Sequence, residues 1–596
     1  MYRAPVQDIL HALRVVGLEE AVKAGRLGDL DMETAEAVLE EAGKFASERI
    51  APLNRQGDVQ GARYENGTVT MPDGYAELYR DWWQAGWNGL TGPVDRGGQD
   101  LPEMIAVAAL EMWNSGSMAF ALGPTLTIGA VEALEQHGSD ELKDRYLEKL
   151  VTGEWMGTMN LTEPHAGSDL GTLRARAEPV VEDGKETGRY RLFGQKIYIT
   201  YGEHDQADNI VHMVLARLPD APEGTRGISL FLVPKFLPNE DGTPSAHNDV
   251  FCNGVERKLG IHASPTCTMI YGDGKGELDE PGAIGWLVGE PNRGLFAMFT
   301  MMNNARLAVA MQGVAVAEAA YQKARDYADE RRQGKSVGWA EKAMTPIVNH
   351  PDVQRNLLTM RAMTGAARMI AYANAHALDM VHGDPDRAKH WQERANLLTP
   401  IAKAFATDIG VEMASLGVQV HGGMGYVEET GAAQLLRDAR IAPIYEGTNG
   451  IQAIDLVQRK LPQSDGDHIR GYIDELEAVV ADVRASNRPQ FGDTAARLAA
   501  SLDDLRETTE WLLDALANDR IADAQAGATP YLRLIGLASG GVHLAKSALM
   551  DEQGHGRTSL ARFFAENLLA ETGALKQSIT TGSASFEGAM EALKVA

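Results

Sequence analysis

The sequence predicts an α+β protein in which a helical segment, a β-rich segment and two further helical segments follow one another. Helical hydrophobic spacing dominates residues 1–155, short β-branched and aromatic runs dominate 156–290, and long helical patterns return over 291–460 and 461–596. The strand-like runs follow one another without intervening helices, which favours an antiparallel sheet arranged as a sandwich or barrel. We therefore expect four domains with these boundaries.

Helical periodicity in the first segment is clearest after Asp31. Ala35, Val38 and Leu39 are spaced to share one helix face, and acidic residues are frequent in the first turn, as a helix start prefers. The same spacing recurs in three later stretches, which are residues 75–83, 104–113 and 141–150. We therefore expect the N-terminal domain to be helical.

The β-rich segment contains six short runs of β-branched and aromatic residues. They are residues 172–180, 190–200, 209–218, 227–236, 266–273 and 284–290. Turn-rich pieces such as EDGKETG separate the runs, so each run is expected to be one strand.

The last segment follows a linker-like stretch, residues 461–467. Beyond it leucines recur at nearly heptad spacing, at positions 498, 502, 505, 512 and 516, with charged residues between them. This pattern predicts that the tail is a further block of amphipathic helices.

The charge balance excludes several classes of partner. The chain has 56 Lys and Arg against 83 Asp and Glu, a net charge of −27, whereas nucleic acids and anionic lipids require a basic face. Two uncharged or apolar stretches, 117–131 and 295–321, are interrupted by Gly123-Pro124 and by Arg306, so we expect buried helices. With no signal-peptide pattern at the N-terminus, we expect a cytoplasmic protein that neither spans a membrane nor binds nucleic acid.

Several common motifs are missing. No GxGxxG follows a predicted strand, no HExxH occurs, and the two cysteines, Cys252 and Cys267, show no metal-ligand spacing. A Rossmann dinucleotide site, a zinc hydrolase and a disulfide scaffold are therefore excluded, and we expect no metal site.

Four separated segments together indicate a specific chemistry. They are LTEPHAGSD at 161–169, GQKIYIT at 194–200, QVHGGMG at 419–425 and RIAPIYEGT at 440–448. In this order they resemble the acyl-CoA dehydrogenase flavoproteins, over about residues 30–460. The helical tail and the opening YRAPVQDIL resemble the long bacterial branch that includes 3-(methylthio)propanoyl-CoA dehydrogenases. The resemblance implies a helical N-terminal domain, a β domain, a helical bundle and a helical C-terminal extension.

The resemblance implies FAD as cofactor and assigns residues of the β domain to it. Thr162 and the backbone of Leu161 would serve the pyrimidine edge of the flavin, where negative charge accumulates on reduction. Ser168 would reach both the cofactor and the phosphate-bearing arm of CoA. Tyr198 would pack against the isoalloxazine, and strand alternation places Thr200 on the same side as Tyr198.

Residues of the helical bundle complete the predicted FAD site. By resemblance, Gln419 with Gly422 and Gly423 approaches the pyrophosphate and ribityl chain from a neighbouring subunit, and glycines permit such close approach. Arg331 would pair with the FAD pyrophosphate across the same interface, and Thr448 belongs to the same cofactor set. The resemblance therefore implies a homo-oligomer, with a dimer expected because the helical tail fills the space of a second dimer.

The implied reaction oxidises a saturated acyl-CoA to its trans-2-enoyl-CoA. By resemblance, Glu446 is the base that removes the α-proton, and Tyr445 and Gly447 lie beside the substrate. Asn303 and Arg306 resemble the element that holds the CoA end, although Arg306 could instead be a buried ion-pair partner. An alternative position for the base aligns with Ala305, which cannot accept a proton, so the role falls to Glu446.

The acyl group and the electron acceptor stay open at this point. The branch resemblance favours 3-(methylthio)propanoyl-CoA, and other short-, medium- or long-chain acyl-CoAs are the alternatives. Met298, Met301 and Met302 could line an adaptable pocket, but ordinary core methionines are the preferred interpretation. Electron-transferring flavoprotein is the expected acceptor. An acyl-CoA oxidase and a DNA-binding relative are the competing classes, and the acidic tail argues against the second.

Overall fold

The computed structural model describes residues 1–239, 241–551, 554 and 556–594, which form two compact units. We call them the helical unit and the sheet unit. The helical unit comprises Met1–Lys44, Pro102–Ser115 and Arg306–Ala596, and the sheet unit comprises Phe45–Leu101 and Gly116–Ala305. This two-part division is coarser than the four predicted domains, whose boundaries stay predictions.

Helices make up most of the helical unit and occur in the sheet unit as well. In chain order they are α1 (Val6–Val16), α2 (Leu18–Lys23), α3 (Met32–Phe45), α4 (Ala51–Gln60), α5 (Tyr75–Gln84), α6 (Glu103–His137), α7 (Asp140–Leu142), α8 (Glu148–Thr152), α9 (Gly294–Glu330), α10 (Pro351–Gly383), α11 (Ala388–His421), α12 (Ala432–Ala439), α13 (Asn449–Asp455), α14 (Asp467–Ala485), α15 (Thr494–Ala517), α16 (Ile521–Met550), α17 (Arg557–Phe563), α18 (Glu571–Thr581) and α19 (Ala584–Ala589). The helical patterns of the sequence are confirmed.

Two helices show how local sequence sets the elements of the helical unit. The Asp31 carboxylate accepts a hydrogen bond from the Thr34 backbone N–H at 2.7 Å, so it caps the start of α3 as the acidic first turn predicts. In α15 the side chains of Leu498, Leu505 and Leu512 are buried. The amphipathic character predicted for the tail is therefore confirmed.

The strands of the described residues all lie in the sheet unit. They are β1 (Arg63–Glu65), β2 (Thr68–Thr70), β3 (Met156–Asn160), β4 (Arg176–Glu182), β5 (Lys185–Thr200), β6 (Ile210–Ala216), β7 (Ser229–Pro234), β8 (Phe236–Pro238), β9 (Pro244–His247), β10 (Val250–Val255), β11 (Thr266–Tyr271) and β12 (Ala283–Val288). The main sheet has the order β10-β11-β5-β12-β7-β6-β3, with β4 also paired to β5. The six predicted strands are confirmed as β4, β5, β6, β7, β11 and β12.

The expectation of a wholly antiparallel sheet is wrong at one pair. Strand β3 lies parallel to β6, with Met156 opposite Ile210 and Asn160 opposite Val214. The chain between these strands contains the β4–β5 hairpin, so it is long enough for the crossover that parallel pairing requires. The other main-sheet pairs are antiparallel.

Both faces of the central strands are buried, which explains their continuous apolar sequence. Along β6, Val211, Met213 and Leu215 join a core formed with residues of α6 and α9. Val214 and Ala216 join a second core on the other face of the sheet. Every residue of β6 and β7 is buried.

The three methionines at the start of α9 belong to the first of these cores. Met298 and Met301 are fully buried, and Met302 packs against the same cluster. The core interpretation of these methionines is therefore confirmed.

Helix α6 is the one helix in the described part of the chain that is long and apolar enough to cross a membrane. In its most apolar 18-residue window, 89% of the residues are buried inside the protein, as in a core helix. The break predicted at Gly123-Pro124 is wrong, because α6 contains Pro124 and departs from helical geometry at Ser117 instead (φ −160°, ψ 106°).

Candidate active site

The segment that carries Leu161 and Thr162 is bound to strand β5 by two hydrogen bonds. The Ile197 backbone N–H donates to the Thr162 carbonyl at 2.9 Å. The Lys196 ammonium donates to the Leu161 carbonyl at 3.0 Å. The structure therefore brings Leu161 and Thr162 together with the part of β5 that contains Tyr198.

A buried ion pair supports this segment, and no sequence pattern predicted it. Lys196 Nζ lies 2.8 Å from Glu163 Oε1, and both side chains are almost completely buried. Glu163 also accepts hydrogen bonds from the backbone N–H groups of Arg174 and Ala175, at 2.7 and 3.0 Å. Burial lowers the pKa of Lys196 to about 8. Burial raises the pKa of Glu163, but Lys196 and the backbone donors outweigh it and the net shift is downward.

Tyr198 lies at a β-bulge rather than on regular strand. The pairing of β11 with β5 shifts register between Cys267 and Met269, and Tyr198 has a left-handed backbone with φ of 60°. Lys196 is fully buried, whereas the Tyr198 ring is 60% exposed. The alternation used to place Tyr198 and Thr200 on one side assumes an extended backbone, so that argument does not hold at this bulge.

The polar groups of this region suit a flavin. Within the described chain, the hydroxyls of Thr162, Ser168, Tyr198 and Thr200 have no hydrogen-bond partner. Ser168 lies on an exposed turn, in which Asp169 accepts a hydrogen bond from the Gly171 N–H at 2.9 Å. An exposed aromatic face beside unused hydroxyl donors fits a planar ring system with acceptor atoms at its edge.

Glu446 lies in a tight turn of the helical unit. Its backbone is left-handed with φ of 54°, and Gly447 follows with φ of 88°. Outside Gly, Asn, Asp and Ser, only Tyr198, Tyr201, Ile261 and Glu446 have such a backbone among the described residues. A left-handed backbone costs energy in residues of this size, and such residues concentrate at functional sites. Two of these four are predicted site residues.

The surroundings of Glu446 change its acidity. Burial raises its pKa, while the positive charges of Arg306 and Lys403 oppose that rise. Arg306 is itself mostly buried and interacts with the charges of Asp455 and Glu446. The structure therefore places Arg306 beside the predicted base. Asn303, the other residue predicted to hold CoA, is exposed on the sheet-unit part of α9.

The neighbours of Glu446 have structural tasks as well. The Tyr445 hydroxyl donates a hydrogen bond to the Gln312 side chain. The Thr448 hydroxyl accepts from the Ile451 N–H at 3.3 Å and so caps α13. Lys403 and Gln312 were not predicted. The signal for Lys403 is a lysine within the apolar helical run at 400–406.

The structure brings Arg331 close to the GGMG segment within the helical unit. Tyr327, one helical turn before Arg331, stacks on His421 with ring centroids 4.5 Å apart, and Gly422 follows His421. Gln419 and Arg331 are exposed, and within the described chain the Arg331 guanidinium has no ion pair.

The glycines of this segment leave room for a ligand. A Cβ atom built on Gly422 or Gly423 would meet no atom within 4 Å, so the backbone there faces open space. A free guanidinium next to accessible backbone fits a pyrophosphate.

These features define a flavoprotein of the acyl-CoA dehydrogenase class, and comparison with known proteins supports that conclusion. Models of the acyl-CoA dehydrogenase N-terminal and C-terminal domains match residues 32–154 and 292–461. An acetyl-CoA dehydrogenase C-terminal-like model matches residues 472–589. The chain is 44% identical over 594 residues to 3-methylmercaptopropionyl-CoA dehydrogenase of Ruegeria pomeroyi, covering 97% of this chain and 98% of that protein.

Two solved structures share the fold. One is Caenorhabditis elegans ACDH-11 in complex with C11-CoA, with a TM-score of 0.76, 21% identity and coverage of 96% of this chain and 92% of that one. The other is acyl-CoA dehydrogenase complexed with FAD from Bacillus anthracis, with a TM-score of 0.71, 20% identity and coverage of 93% and 89%.

The chain belongs to the acyl-CoA dehydrogenase family. It is an FAD-dependent oxidoreductase that dehydrogenates acyl-CoA thioesters.

Proposed function

We propose that the preferred substrate is 3-(methylthio)propanoyl-CoA, which is oxidised between its α- and β-carbons. The observation that carries this proposal is the 44% identity, over nearly the full length of both chains, to a relative named for this thioester. The likeness includes the helical tail and is not limited to the catalytic domains. Dehydrogenation of other acyl chains is the alternative.

The base in this proposal is Glu446. Its carboxylate takes the α-proton, and its backbone N–H donates to the thioester carbonyl, which makes that proton more acidic. When bound, FAD supplies the acceptor for the hydride that leaves the β-carbon. A carboxylate whose pKa is raised by burial is a stronger base than an exposed one, and the charges of Arg306 and Lys403 oppose that rise.

Around the substrate, Tyr445 and Gly447 flank the base in the chain and shape the turn that presents it. Ser168, Asn303 and Arg306 are proposed to contact the CoA moiety. We also propose an electrostatic role for Arg306, because its positive charge interacts with the Glu446 carboxylate.

We propose that ten residues bind FAD. The exposed Ser168, Tyr198 and Arg331 side chains and the exposed glycine backbone support the assignment. The ten residues are Leu161, Thr162, Ser168, Tyr198, Thr200, Arg331, Gln419, Gly422, Gly423 and Thr448.

A substrate series tests the proposed acyl group. The kcat/KM values for 3-(methylthio)propanoyl-CoA and for straight-chain acyl-CoAs from four to sixteen carbons would be measured with one preparation. We expect 3-(methylthio)propanoyl-CoA to give the highest value and butanoyl-CoA, which lacks the sulfur, to follow. A tenfold preference for palmitoyl-CoA would place the protein among long-chain dehydrogenases.

We further propose that electron-transferring flavoprotein accepts the electrons, that the enzyme is a homodimer and that it is cytoplasmic. Turnover with electron-transferring flavoprotein compared with turnover in oxygen alone distinguishes a dehydrogenase from an oxidase. Sedimentation equilibrium of the FAD-bound protein measures the subunit number, and cell fractionation measures the location. A monomer with full FAD content would contradict FAD contacts from a neighbouring subunit.

A further inference from the structure

Lys403 is a lysine in the interior of the helical unit. It lies on α11, between Ala402 and Ala404, and its side chain is fully buried together with both of these alanines. Burying a lysine costs free energy unless its ammonium is hydrogen-bonded, and burial lowers the pKa of Lys403 to about 8. A buried lysine therefore needs hydrogen-bond acceptors around its ammonium.

The partners of Lys403 belong to the turn that carries Glu446. The Lys403 ammonium donates to the Gly447 carbonyl at 2.9 Å and to the Asn449 side-chain oxygen at 2.9 Å. These two residues lie immediately after the base and at the start of α13. Lys403 therefore connects the long helix α11 to the backbone that presents Glu446.

Asn449 is itself held on α11, so the connection is rigid. Its side-chain amide donates to the Thr407 hydroxyl at 3.0 Å and to the Asp408 carboxylate at 2.7 Å. The Thr407 hydroxyl donates in turn to the Lys403 carbonyl at 2.8 Å. Lys403, Thr407 and Asp408 thus form one polar cluster within the helix, and this cluster binds the turn.

The turn needs such support because its backbone is strained. Glu446 and Gly447 both have left-handed backbones. A Cβ atom at Gly447 would lie 2.7 Å from the Gln452 side-chain nitrogen, and that same nitrogen donates to the Glu446 carbonyl at 3.4 Å. The Gly447 carbonyl is held by Lys403 and the Glu446 carbonyl by Gln452, which fixes the peptide units on both sides of the left-handed bend.

Two positively charged side chains shift the pKa of Glu446. Arg306 on α9 and Lys403 on α11 are the cations that act on Glu446. Lys403 in turn interacts with the charges of Glu446, Asp408 and Arg306. Asp408 accepts a hydrogen bond from the Asn449 amide, and burial raises the pKa of its carboxyl group.

We propose that Lys403 is a positioning residue for the base: its ammonium holds the turn at Gly447 and supplies positive charge that keeps the Glu446 carboxylate ionised. The proposal rests on the proposed role of Glu446. It assigns Lys403 two separable effects, one geometric and one electrostatic. A lysine that served only the stability of the helical unit would have neither.

The test compares Lys403→Met with Lys389→Met. Methionine keeps the length and apolar character of the side chain but removes the donor and the charge. Lys389 lies near the start of the same helix, its side chain is 84% exposed, and it pairs with Glu393 at 3.8 Å, so its replacement controls for loss of a charge on α11. Each variant is purified with FAD, and its FAD content, thermal unfolding and kinetics are measured with whichever thioester the unmodified enzyme uses best.

For Lys403→Met we expect kcat to fall about 10- to 100-fold, because small misplacement of a reacting group has effects of this size. KM should change less than twofold, and the acid limb of the kcat/KM profile should move to higher pH. Lys389→Met should keep the kcat and the pH profile of the unmodified enzyme. Lys403→Met with normal kcat and an unmoved acid limb would overturn the proposal.

A second variant distinguishes the effect on the position of the turn from the effect of the Lys403 charge. It also tests the proposal if Lys403→Met does not fold. Asn449→Ala removes a partner of the Lys403 ammonium but leaves its charge. We expect a lower kcat with the acid limb in its original place. Full kcat in Asn449→Ala would overturn the positioning role. If another thioester gives the highest kcat/KM, the proposed substrate is refuted. The proposal for Lys403 is not affected, because the variants are compared with whichever thioester the unmodified enzyme uses best.

Discussion

The ammonium of Lys196 lies 2.8 Å from the carboxylate of Glu163, and it also donates to the Leu161 carbonyl. The segment proposed to contact the flavin edge is thus joined to β5 through a charge pair in the interior of the sheet unit. Two backbone N–H groups complete the hydrogen bonding of Glu163. Removing either member of this pair leaves the other charge buried without its counterion.

We predict that Lys196→Met destabilises the protein and weakens FAD binding. Loss of one partner from a buried pair costs about 3–5 kcal/mol, because the remaining charge stays in a poorly solvated place. The free energy of unfolding from urea titrations and the FAD dissociation constant would be measured together. The Leu161 carbonyl loses its donor as well, which is the reason to expect an effect on FAD.

Two comparison variants define this prediction. Lys185→Met changes an exposed lysine at the start of β5 and should leave both quantities within error. The double variant Lys196→Met with Glu163→Gln removes the stranded charge, so it should be more stable than Lys196→Met alone. A single variant as stable as the unmodified protein would show that the pair contributes nothing.

We predict that Arg331→Gln weakens FAD binding about 10- to 100-fold. A hydrogen bond to a charged group contributes about 1.5–3 kcal/mol, and each 1.4 kcal/mol is a factor of about ten in the dissociation constant. The affinity of the unmodified protein should also fall as salt is added, because the site is exposed. Fluorescence titration of the apoprotein with FAD measures both effects.

Arg332→Gln is the matched control for Arg331→Gln. Arg332 is also exposed, but its guanidinium donates to the Met344 carbonyl at 3.1 Å, so it is engaged within its own loop. We expect unchanged FAD affinity in this variant. Equal losses in the two variants would indicate a general effect of charge and no specific contact by Arg331.

A strand of the sheet unit was predictable where its own residues favour strand structure. The run at 210–216 is apolar and β-branched, and β6 forms there. Strand β3, with the sequence MGTMN, has little strand propensity, and it forms because it pairs with β6 far along the chain. Strand β10 contains Asn-Gly, which suggests a turn, and a register shift in its pairing with β11 accommodates these residues.

Residues of the candidate site were predictable only where they lie within the four family-like segments. Glu446 and Tyr198 lie within segments that resemble the family, but the left-handed backbone of Tyr198 depends on a bulge opposite β11. Lys403 is separated from Gly447 by more than forty residues, so no local pattern shows that they meet. Long-range pairing of this kind follows from packing of the helices, which the sequence does not display.

We predict that Glu446→Gln abolishes most activity and leaves FAD content normal. Glutamine keeps the shape and the backbone N–H but cannot accept the α-proton, and loss of a general base typically reduces the rate about 10²- to 10⁴-fold. Stopped-flow reduction of the flavin by the best thioester would measure the chemical step. An FAD-replete Glu446→Gln enzyme with full activity would show that another residue takes the proton.

The pH dependence of the unmodified enzyme should reveal the environment of Glu446. The base must be ionised, so kcat/KM is full above its pKa and falls tenfold for each pH unit below it. Burial raises this pKa above the ordinary value of 4.5, while Arg306 and Lys403 limit the rise. We therefore expect the acid limb to lie above pH 4.5 and to move to still higher pH in Arg306→Gln. The profile would also be measured with a second thioester that reacts more slowly. If proton removal limits the rate with both thioesters, the two profiles must give the same apparent pKa. An acid limb at or below 4.5 would mean that the carboxylate is more solvated during turnover than the turn around Gly447 implies.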